Sequence, residues 1–471
     1  MDLAKLSSLA GLAREPAGDA TADVTAIDYR SDRAGPGSLF CCLPGSRSDG
    51  HEHAADAVSR GAVALLVERR LAVPVPQLQV ADARAAMGLL AAAIEGEPTA
   101  SLDVVGLTGT NGKTTTSFLI AGILDAAGRS CGLLGTVEQR IGGERRKAGL
   151  TTPESPDLQR AFRTMLAAGD EACAIEASSI AISQRRLEGT RFAAVAFTNL
   201  TQDHLDFHGE MERYFAAKAE LFDGRAPRAV NAADPYARRL EAELRFGPGG
   251  DVTAERVRLA ADRSELSVRT PRGELELTTR VCGAFNVDNV LCAIALALLL
   301  DVSDEAIARG LAETPGPPGR FEPIVCGQPF GVYVDYAHTP AGLDSVLAAV
   351  RPLTAGRVLC VFGAAGDRDP AKRPLMGAAA EAGADVIYVT SDNPRSEPRE
   401  LVAAGVVAGL RRPAAAIVEL DRRAAIARAL ADAEPGDVVV IAGKGHEAGQ
   451  DVGGVITPFD DRMVARELLR S

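Results

Sequence analysis

Lysine is scarce in this 471-residue chain: only six of its 51 basic residues are lysine. Four of the six, Lys113, Lys218, Lys372 and Lys444, fall in the stretches singled out below. Where arginine is the default cation, a retained lysine suggests a need for a compact, titratable amine, although surface lysines also survive by chance. An excess of positive charge is missing too. The formal net charge of −12 argues against binding along a phosphate backbone, because nucleic-acid binders carry a basic face. Long apolar runs are absent: VLCAIALALLL at 290–300 is too short to cross a bilayer, so no membrane insertion is expected. The opening MDLAKLSSLAGLAREP lacks a basic start, an apolar stretch and a small-residue cleavage site, which predicts a cytoplasmic location. The eight cysteines form no CxxC pair and sit mostly in apolar surroundings, as reduced, buried thiols do. Internal repeats and low-complexity tracts are lacking as well.

What is present is enough chain for two or three hydrophobic cores. Residues 1–98 alternate short strands (SLFCCL, AVALLV, PQLQV) with helical stretches such as 82–95, ending in the polar EGEPTAS. The second block, 99–318, opens with LDVVGL and a glycine loop before a helix. It continues through the strand candidates CAIEAS and FAAVAFTNL, a β-rich passage near 251–281 and an apolar helix from about 286. ETPGPPGR at 313–320 reads as the second linker. Residues 319–471 repeat strand then helix through GVYVDY, RVLCVFG, DVIYVTS, AAIVEL and DVVVIAG. That alternation predicts a parallel sheet covered on both faces, with ligands at the carboxyl ends of its strands. The fold class expected is α/β in three domains.

The strongest local signal is GLTGTNGKTTTSFLIAGIL. Gly109 and Gly112 allow a tight anion-binding turn, Lys113 can reach phosphate oxygens, and Thr114 can place a hydroxyl on Mg²⁺. The following helix aims its positive end at the same point. Position 107, where the general P-loop pattern has its first glycine, is Leu107. A merely tight strand-to-helix turn is the plainer alternative.

TGTNGKTTT resembles the nucleotide loop of the Mur ligase and folylpolyglutamate synthetase superfamily, whose members activate a carboxylate as an acyl phosphate and join it to an amine. The resemblance implies a small α/β uridine-nucleotide domain, a central P-loop-type ATPase domain with a mostly parallel sheet, and a C-terminal Rossmann-like domain. It implies ATP contacts from Gly109, Thr110, Asn111, Gly112, Lys113, Thr114 and Thr115. EASS at 176–179 and FTNLTQDHLDFHG at 197–209 look like the family's metal-binding strand ends, implying Glu176 and His204 as Mg²⁺ ligands beside Thr114. YFAAKAELF resembles the segment whose lysine is carbamylated, which implies Lys218 as a further ligand and places Lys113, Glu176, His204 and Lys218 in the catalytic machinery. Duller readings stay open: Glu176 as a helix cap, His204 and His208 as one solvated or zinc-like face, Lys218 as a helix-surface cation.

In the third block, GRFE, YVDYAHTP and FGAAGDRDPAKRPLMG are similar to the ligases' C-terminal domain. They imply Arg320, Asp335 and His338 near the nucleotide and Arg368 facing the incoming amino acid. Structural salt bridges are the alternative, notably for Lys372 and Arg373. DNPR at 392–395 resembles the signature of Mur ligases that add meso-2,6-diaminopimelate to UDP-N-acetylmuramoyl-L-alanyl-D-glutamate in peptidoglycan precursor synthesis. It implies Asp392, Asn393, Pro394 and Arg395, with Gly443 and Glu447 of GKGHE, as the amine site. A guanidinium can grip the distal carboxylate of diaminopimelate as a bidentate pair, whereas L-lysine would leave it unpaired.

YRSDRAGPGSLFCCLPGSRSDGHEHAADAVSRGA looks like the uridine-nucleotide domain of such ligases, implying Ser31, Ser46, Arg47 and Ser48 on the UDP-sugar. Thr151, Thr152, Ser178, Gln184 and Arg186 match positions that hold its muramoyl-peptide part. Three departures stand out. Ile180 replaces a frequent histidine, Pro398 follows Glu397 without an intervening acidic residue, and Ala364 and Ala365 replace frequent cysteine and glycine. The expectation is a monomeric ligase using ATP and Mg²⁺, closing about the hinge near Pro315 to Gly319 and binding neither nucleic acid nor membrane. The rivals are a ligase for L-lysine or another amine, and a non-catalytic nucleotide-binding regulator.

Overall fold

The computed structural model describes residues 1–9, 17–45, 48–260 and 262–470; Ser46 and Arg47 lie outside the described residues. The chain divides into two compact units, residues 1–253 with 291–310, and residues 254–290 with 311–471.

The first unit holds two sheets. Four parallel strands, Ala26–Asp28, Ser38–Cys41, Ala62–Val67 and Gln77–Gln79, lie side by side in sequence order. Their side chains alternate between two cores. Leu39, Cys41, Ala64 and Leu66 pack with the helix Ala83–Ile94, while Phe40, Cys42, Leu65 and Val67 face the helix Ala54–Ser59. Helix Ala83–Ile94 starts where Asp82 accepts hydrogen bonds from the amides of Arg84 and Ala85, both at 3.0 Å.

The larger sheet has eight strands in the order Leu244–Phe246, Arg228–Asn231, Phe192–Phe197, Asp103–Thr108, Ala172–Glu176, Cys131–Leu134, Glu138–Ile141, Glu144–Lys147. The first six run parallel and the last two turn back antiparallel. Asp103–Thr108 sits between strands that follow it in sequence on either side, so the chain reverses direction across the sheet at its carboxyl end. A crevice for a ligand opens at such a point. The outer strand Glu144–Lys147 exposes all four of its residues, Glu-Arg-Arg-Lys.

The second unit contains the antiparallel hairpin Ser264–Thr270 and Gly273–Thr279, flanked by Thr253–Leu259. Its main sheet runs Glu322–Pro323, Gly331–Asp335, Val438–Ala442, Val358–Phe362, Val386–Val389, Ile417–Val418. All neighbours are parallel except the first, short edge strand, as the alternating strand-helix pattern predicted. Val358, Cys360 and Phe362 enter one core and Leu359 and Val361 the other, which is why the strand is apolar throughout. Helices Pro340–Val350, Lys372–Gly383, Arg399–Val407, Arg422–Asp432 and Asp461–Arg470 complete the unit.

Candidate functional site

Strand Asp103–Thr108 delivers a four-residue loop to the buried first turn of helix Lys113–Ala126. Leu107 is fully buried and pairs in register with Glu176, so the position where a longer P-loop would have its glycine is still strand here. Gly109 has φ +142°, and an added Cβ would collide with Thr198 Oγ1. The strand Phe192–Phe197 and the residues after it brace the loop. Thr198 Oγ1 donates to the Asn111 carbonyl at 2.6 Å, and the amides of Thr110 and Asn111 donate to the backbone and side-chain oxygens of Asn199 at 2.8 and 2.9 Å. Those two N–H groups, expected to turn inward around phosphate, are therefore engaged within the protein. Anion binding then falls to the start of the helix that opens at Lys113.

Two lysines converge on one carbonyl. Lys113 Nζ donates to the oxygens of Gly109 and Thr110 at 2.7 and 2.9 Å, and Lys218 Nζ donates to Gly109 O at 2.8 Å. Lys218 is 1% exposed and lies 4.7 Å from the centre of the Tyr214 ring, so it is not a helix-surface cation. Desolvation, followed by repulsion from Lys113, depresses its pKa well below the ordinary lysine value.

Glu176, the last residue of its strand, is 1% exposed and caps no helix. Its Oε1 accepts from Thr114 Oγ1 at 3.0 Å and Thr136 N at 2.8 Å, and its Oε2 accepts from Thr136 Oγ1 at 2.9 Å. Thr136 escaped the sequence reading; it follows Cys131–Leu134, a four-residue strand with no pattern of its own. From Thr136 the web continues to Thr151 Oγ1 at 3.1 Å, while Thr152 Oγ1 donates to the Glu176 carbonyl at 2.7 Å and meets Ser178 Oγ at 3.2 Å. Arg186 donates to Thr152 O at 2.9 Å and to Gln184 Oε1 at 2.7 Å, and pairs with Glu154 at 3.0 Å. All five residues expected on the muramoyl-peptide side thus sit in one hydrogen-bonded run beside the loop. Ile180 adds no polar atom to it.

Thr114 and Glu176 offer hard oxygen donors, which fit Mg²⁺. His204 does not join them: its ring contacts are to Asp203 at 3.4 Å and, edge-on, to Tyr214. His208 turns elsewhere, its Nε2 2.9 Å from Ser179 Oγ, and burial lowers its pKa. The two histidines form no shared metal face, and no group of three His, Cys, Asp or Glu suited to a metal occurs among the described residues. In the N-terminal sheet region, Ser31 opens a short turn against Asp56, and Ser48 Oγ lies 2.8 Å from His53 Nε2.

The second unit gathers its own cluster at the strand ends. Asp335 accepts from the amides of Phe321 and Ala337, both at 2.7 Å. The Arg320 guanidinium lies over the Tyr336 ring at 4.4 Å, and His338 Nδ1 is 2.8 Å from Tyr336 O. After strand Val386–Val389, Asp392 and Asn393 are buried. Asn393 Nδ2 donates to Glu447 Oε2 at 2.8 Å, and Lys444 Nζ donates to Asn393 Oδ1 at 3.1 Å and Glu447 Oε2 at 3.2 Å. Arg395 takes φ +52° after Pro394 and donates to Gly366 O at 2.8 Å, leaving its second Nη without a hydrogen bond among the described residues. Gly443 has φ +115°, and a Cβ there would strike Asp392 Oδ2. Burial raises the Asp392 pKa, offset in part by Arg422 and Lys444. Arg368 is exposed and makes no hydrogen bond among the described residues. Arg373, in contrast, is the structural salt bridge considered above, donating to Glu397 at 2.7 Å. Arg422 was missed: fully buried, it pairs twice with Asp461 at 2.7 Å and donates to the carbonyls of Ser391 and Ala442, steadying both strand ends.

Three family models match: Mur ligase family, catalytic domain at 23–94; Mur ligase middle domain at 107–297; and Mur ligase, glutamate ligase domain at 319–445. The chain is 44% identical over 465 residues to a protein of Geobacillus kaustophilus (strain HTA426) named UDP-N-acetylmuramoyl-L-alanyl-D-glutamate--2,6-diaminopimelate ligase, covering 95% of each chain. It is 44% identical to the relative of that name from Solibacter usitatus (strain Ellin6076), covering 100% of this chain and 98% of that one. A solved structure of a ligase of the same name aligns with a TM-score of 0.74 at 28% identity, covering 100% of this chain and 99% of the other.

Proposed function

The chain belongs to the Mur ligase family, and from that premise we propose that it joins meso-2,6-diaminopimelate to the γ-carboxylate of the D-glutamyl residue in UDP-N-acetylmuramoyl-L-alanyl-D-glutamate, consuming ATP. The observation that carries the reading is the DNPR loop at a strand end, with Asn393 bonded to Glu447, in a chain 44% identical across nearly its whole length to ligases of that name. Domains at 1–98, 99–318 and 319–471 and a cytoplasmic location complete it.

The γ-phosphoryl group of ATP transfers to the substrate carboxylate, giving an acyl phosphate and ADP. The amine of diaminopimelate attacks the acyl carbon, the amide forms, and phosphate leaves. The amides from Gly112 to Thr115 and the Lys113 ammonium bind the nucleotide's phosphates, with Lys113 exchanging its loop carbonyls for phosphate oxygens. Thr114 and Glu176 would hold a Mg²⁺ that offsets charge on the phosphates, with a carbamate on Lys218 beside them, and His204 would join only by turning away from Asp203. Burial and the depressed pKa of Lys218 support carbamylation, since an uncharged amine is the form that takes up carbon dioxide. Thr151, Thr152, Ser178, Gln184 and Arg186 orient the muramoyl-peptide, and Ser31, Ser46, Arg47 and Ser48 serve the uridine end. Arg320, Asp335 and His338 serve the nucleotide. Arg368, Asp392, Arg395 and Glu447 meet the charged ends of the amino acid.

The test is phosphate release by the purified protein with ATP, Mg²⁺ and the UDP-linked dipeptide, comparing meso-diaminopimelate, L-lysine and D-alanyl-D-alanine. Release that depends on diaminopimelate is expected. Preference for lysine would overturn the reading of Arg395, and release indifferent to every amine would overturn the ligase.

A further inference from the structure

Lys444 is one of the chain's six lysines and is fully buried, yet no role above requires it. It leaves the end of strand Val438–Ala442 between Gly443 and Gly445, both at positive φ, so the backbone turns sharply on either side. An ammonium has three hydrogens to donate, and here each meets an acceptor: Gly449 O at 2.7 Å, Asn393 Oδ1 at 3.1 Å and Glu447 Oε2 at 3.2 Å. Asn393 Nδ2 donates to that same Glu447 oxygen at 2.8 Å, closing a triangle. The triangle fixes which way the Asn393 amide faces, because its oxygen must meet the ammonium and its nitrogen the carboxylate. It also commits Glu447 Oε2 inward. Glu447 Oε1 makes no hydrogen bond among the described residues, and the side chain is 34% exposed, so the outward oxygen remains for a ligand.

The hairpin Gly449–Val452 and Val455–Pro458 reinforces the arrangement from the same side. The Asp451 amide donates to Asn393 Oδ1 at 3.0 Å, and Gln450 Nε2 donates to Asp392 O at 2.9 Å. The Arg395 amide donates to Asp451 O at 3.1 Å. The DNPR loop is thereby tied to the hairpin through Asp392, Asn393 and Arg395, and Lys444 is the charged side chain joining loop, turn and hairpin.

We infer that Lys444 is a positioning residue for the amine subsite, setting the rotamers of Asn393 and Glu447 so that one Glu447 oxygen is presented to an ammonium of the incoming amino acid. This rests on the ligase reading above. A lysine that meets no substrate can act this way because a buried ammonium with three fixed acceptors holds them more tightly than a neutral side chain would. Arginine would not substitute, since its planar fork cannot meet three acceptors arranged around one point.

The test is steady-state phosphate release by the full-length chain carrying Lys444→Met, with each substrate varied in turn. KM for diaminopimelate should rise by roughly tenfold or more, as loss of a charge-assisted contact implies. KM for ATP and for the UDP-linked dipeptide should stay within about twofold. Glu447→Gln in the Lys444→Met background should be no worse than Glu447→Gln alone, because both changes act on one contact. Lys444→Gln, which keeps two donors and loses the charge, should give a smaller rise in the same KM and serves if the methionine variant does not fold. An unchanged KM for diaminopimelate, or a uniform fall in kcat with every KM unaltered, would overturn the inference. The wild-type protein run alongside separates the two readings: amine-independent release refutes the ligase itself, whereas amine-dependent wild type with indifferent variants refutes only the role of Lys444.

Discussion

Replacing Gly109 by alanine tests whether the loop's shape, rather than its composition alone, matters for ATP. Two costs arise at once. At φ +142° a side chain is strained by about 1–3 kcal/mol. The new Cβ also collides with Thr198 Oγ1, and displacing that hydroxyl forfeits its 2.6 Å bond to Asn111 O, about 1 kcal/mol. Because Gly109 O is the shared acceptor of Lys113 and Lys218, the loss should appear mainly in nucleotide binding. About 2–4 kcal/mol corresponds to a rise in KM for ATP of roughly 30- to 700-fold. Thr198→Ala alone removes the hydroxyl bond and costs about 1 kcal/mol. In the double variant the collision is relieved and that bond is already lost, so it should be no worse than Gly109→Ala. ATP titration of the four proteins by calorimetry, with KM from phosphate release, completes the cycle. If Thr198→Ala adds its full cost to Gly109→Ala, the two residues do not oppose each other and the account of the loop is wrong.

Two further outcomes are expected. Glu176→Gln should melt within about 3 °C of wild type, because Thr136 Oγ1 can reverse its role in the hydrogen bond, while phosphate release falls on the order of 100-fold through loss of the carboxylate charge; near-wild-type release would remove Glu176 from the site. The raised pKa of Asp392 means that the folded state resists its ionisation, so the wild type is penalised above the unfolded aspartate pKa, and the penalty disappears below it. Asp392→Asn should therefore melt higher than wild type at pH 7, the gap narrowing as pH falls toward about 4 and closed below it, with diaminopimelate binding weakened; a gap that widens on acidification would reverse the sign.

The alternating strand-helix pattern of residues 331–442 was readable because each strand is a short apolar run ended by a turn, and the parallel sheet follows from that alternation. The glycine loop and Thr114 stand out because strand, loop and helix follow in order, whereas Glu176 was implied only by the resemblance of EASS to the family's strand ends. Thr136 was not, since its strand is four residues long and interrupted by glycine. Arg422 and Asp461, 39 residues apart, carry no local signal; only the packing of the two helices they begin brings them together. Lys218 exposes the limit of helical spacing as a guide. Its place in a polar helix suits a surface cation, but it is buried, and the carbonyl it meets comes from the glycine loop, a distant part of the chain. Leu107 shows why the general P-loop count departs here, because the position of its first glycine is held in the sheet by pairing with Glu176.

The outer strand Glu144–Lys147 bears on how concentrated such a protein can become. An eight-stranded sheet that ends in solvent leaves a row of backbone donors and acceptors on which a second chain could add itself, strand upon strand. Here that row is framed by four exposed residues, three of them cationic. A second copy laid antiparallel or parallel against it would bring like charges close together without any apolar face to compensate. The edge can remain open, and the sheet can keep its full width, without inviting aggregation.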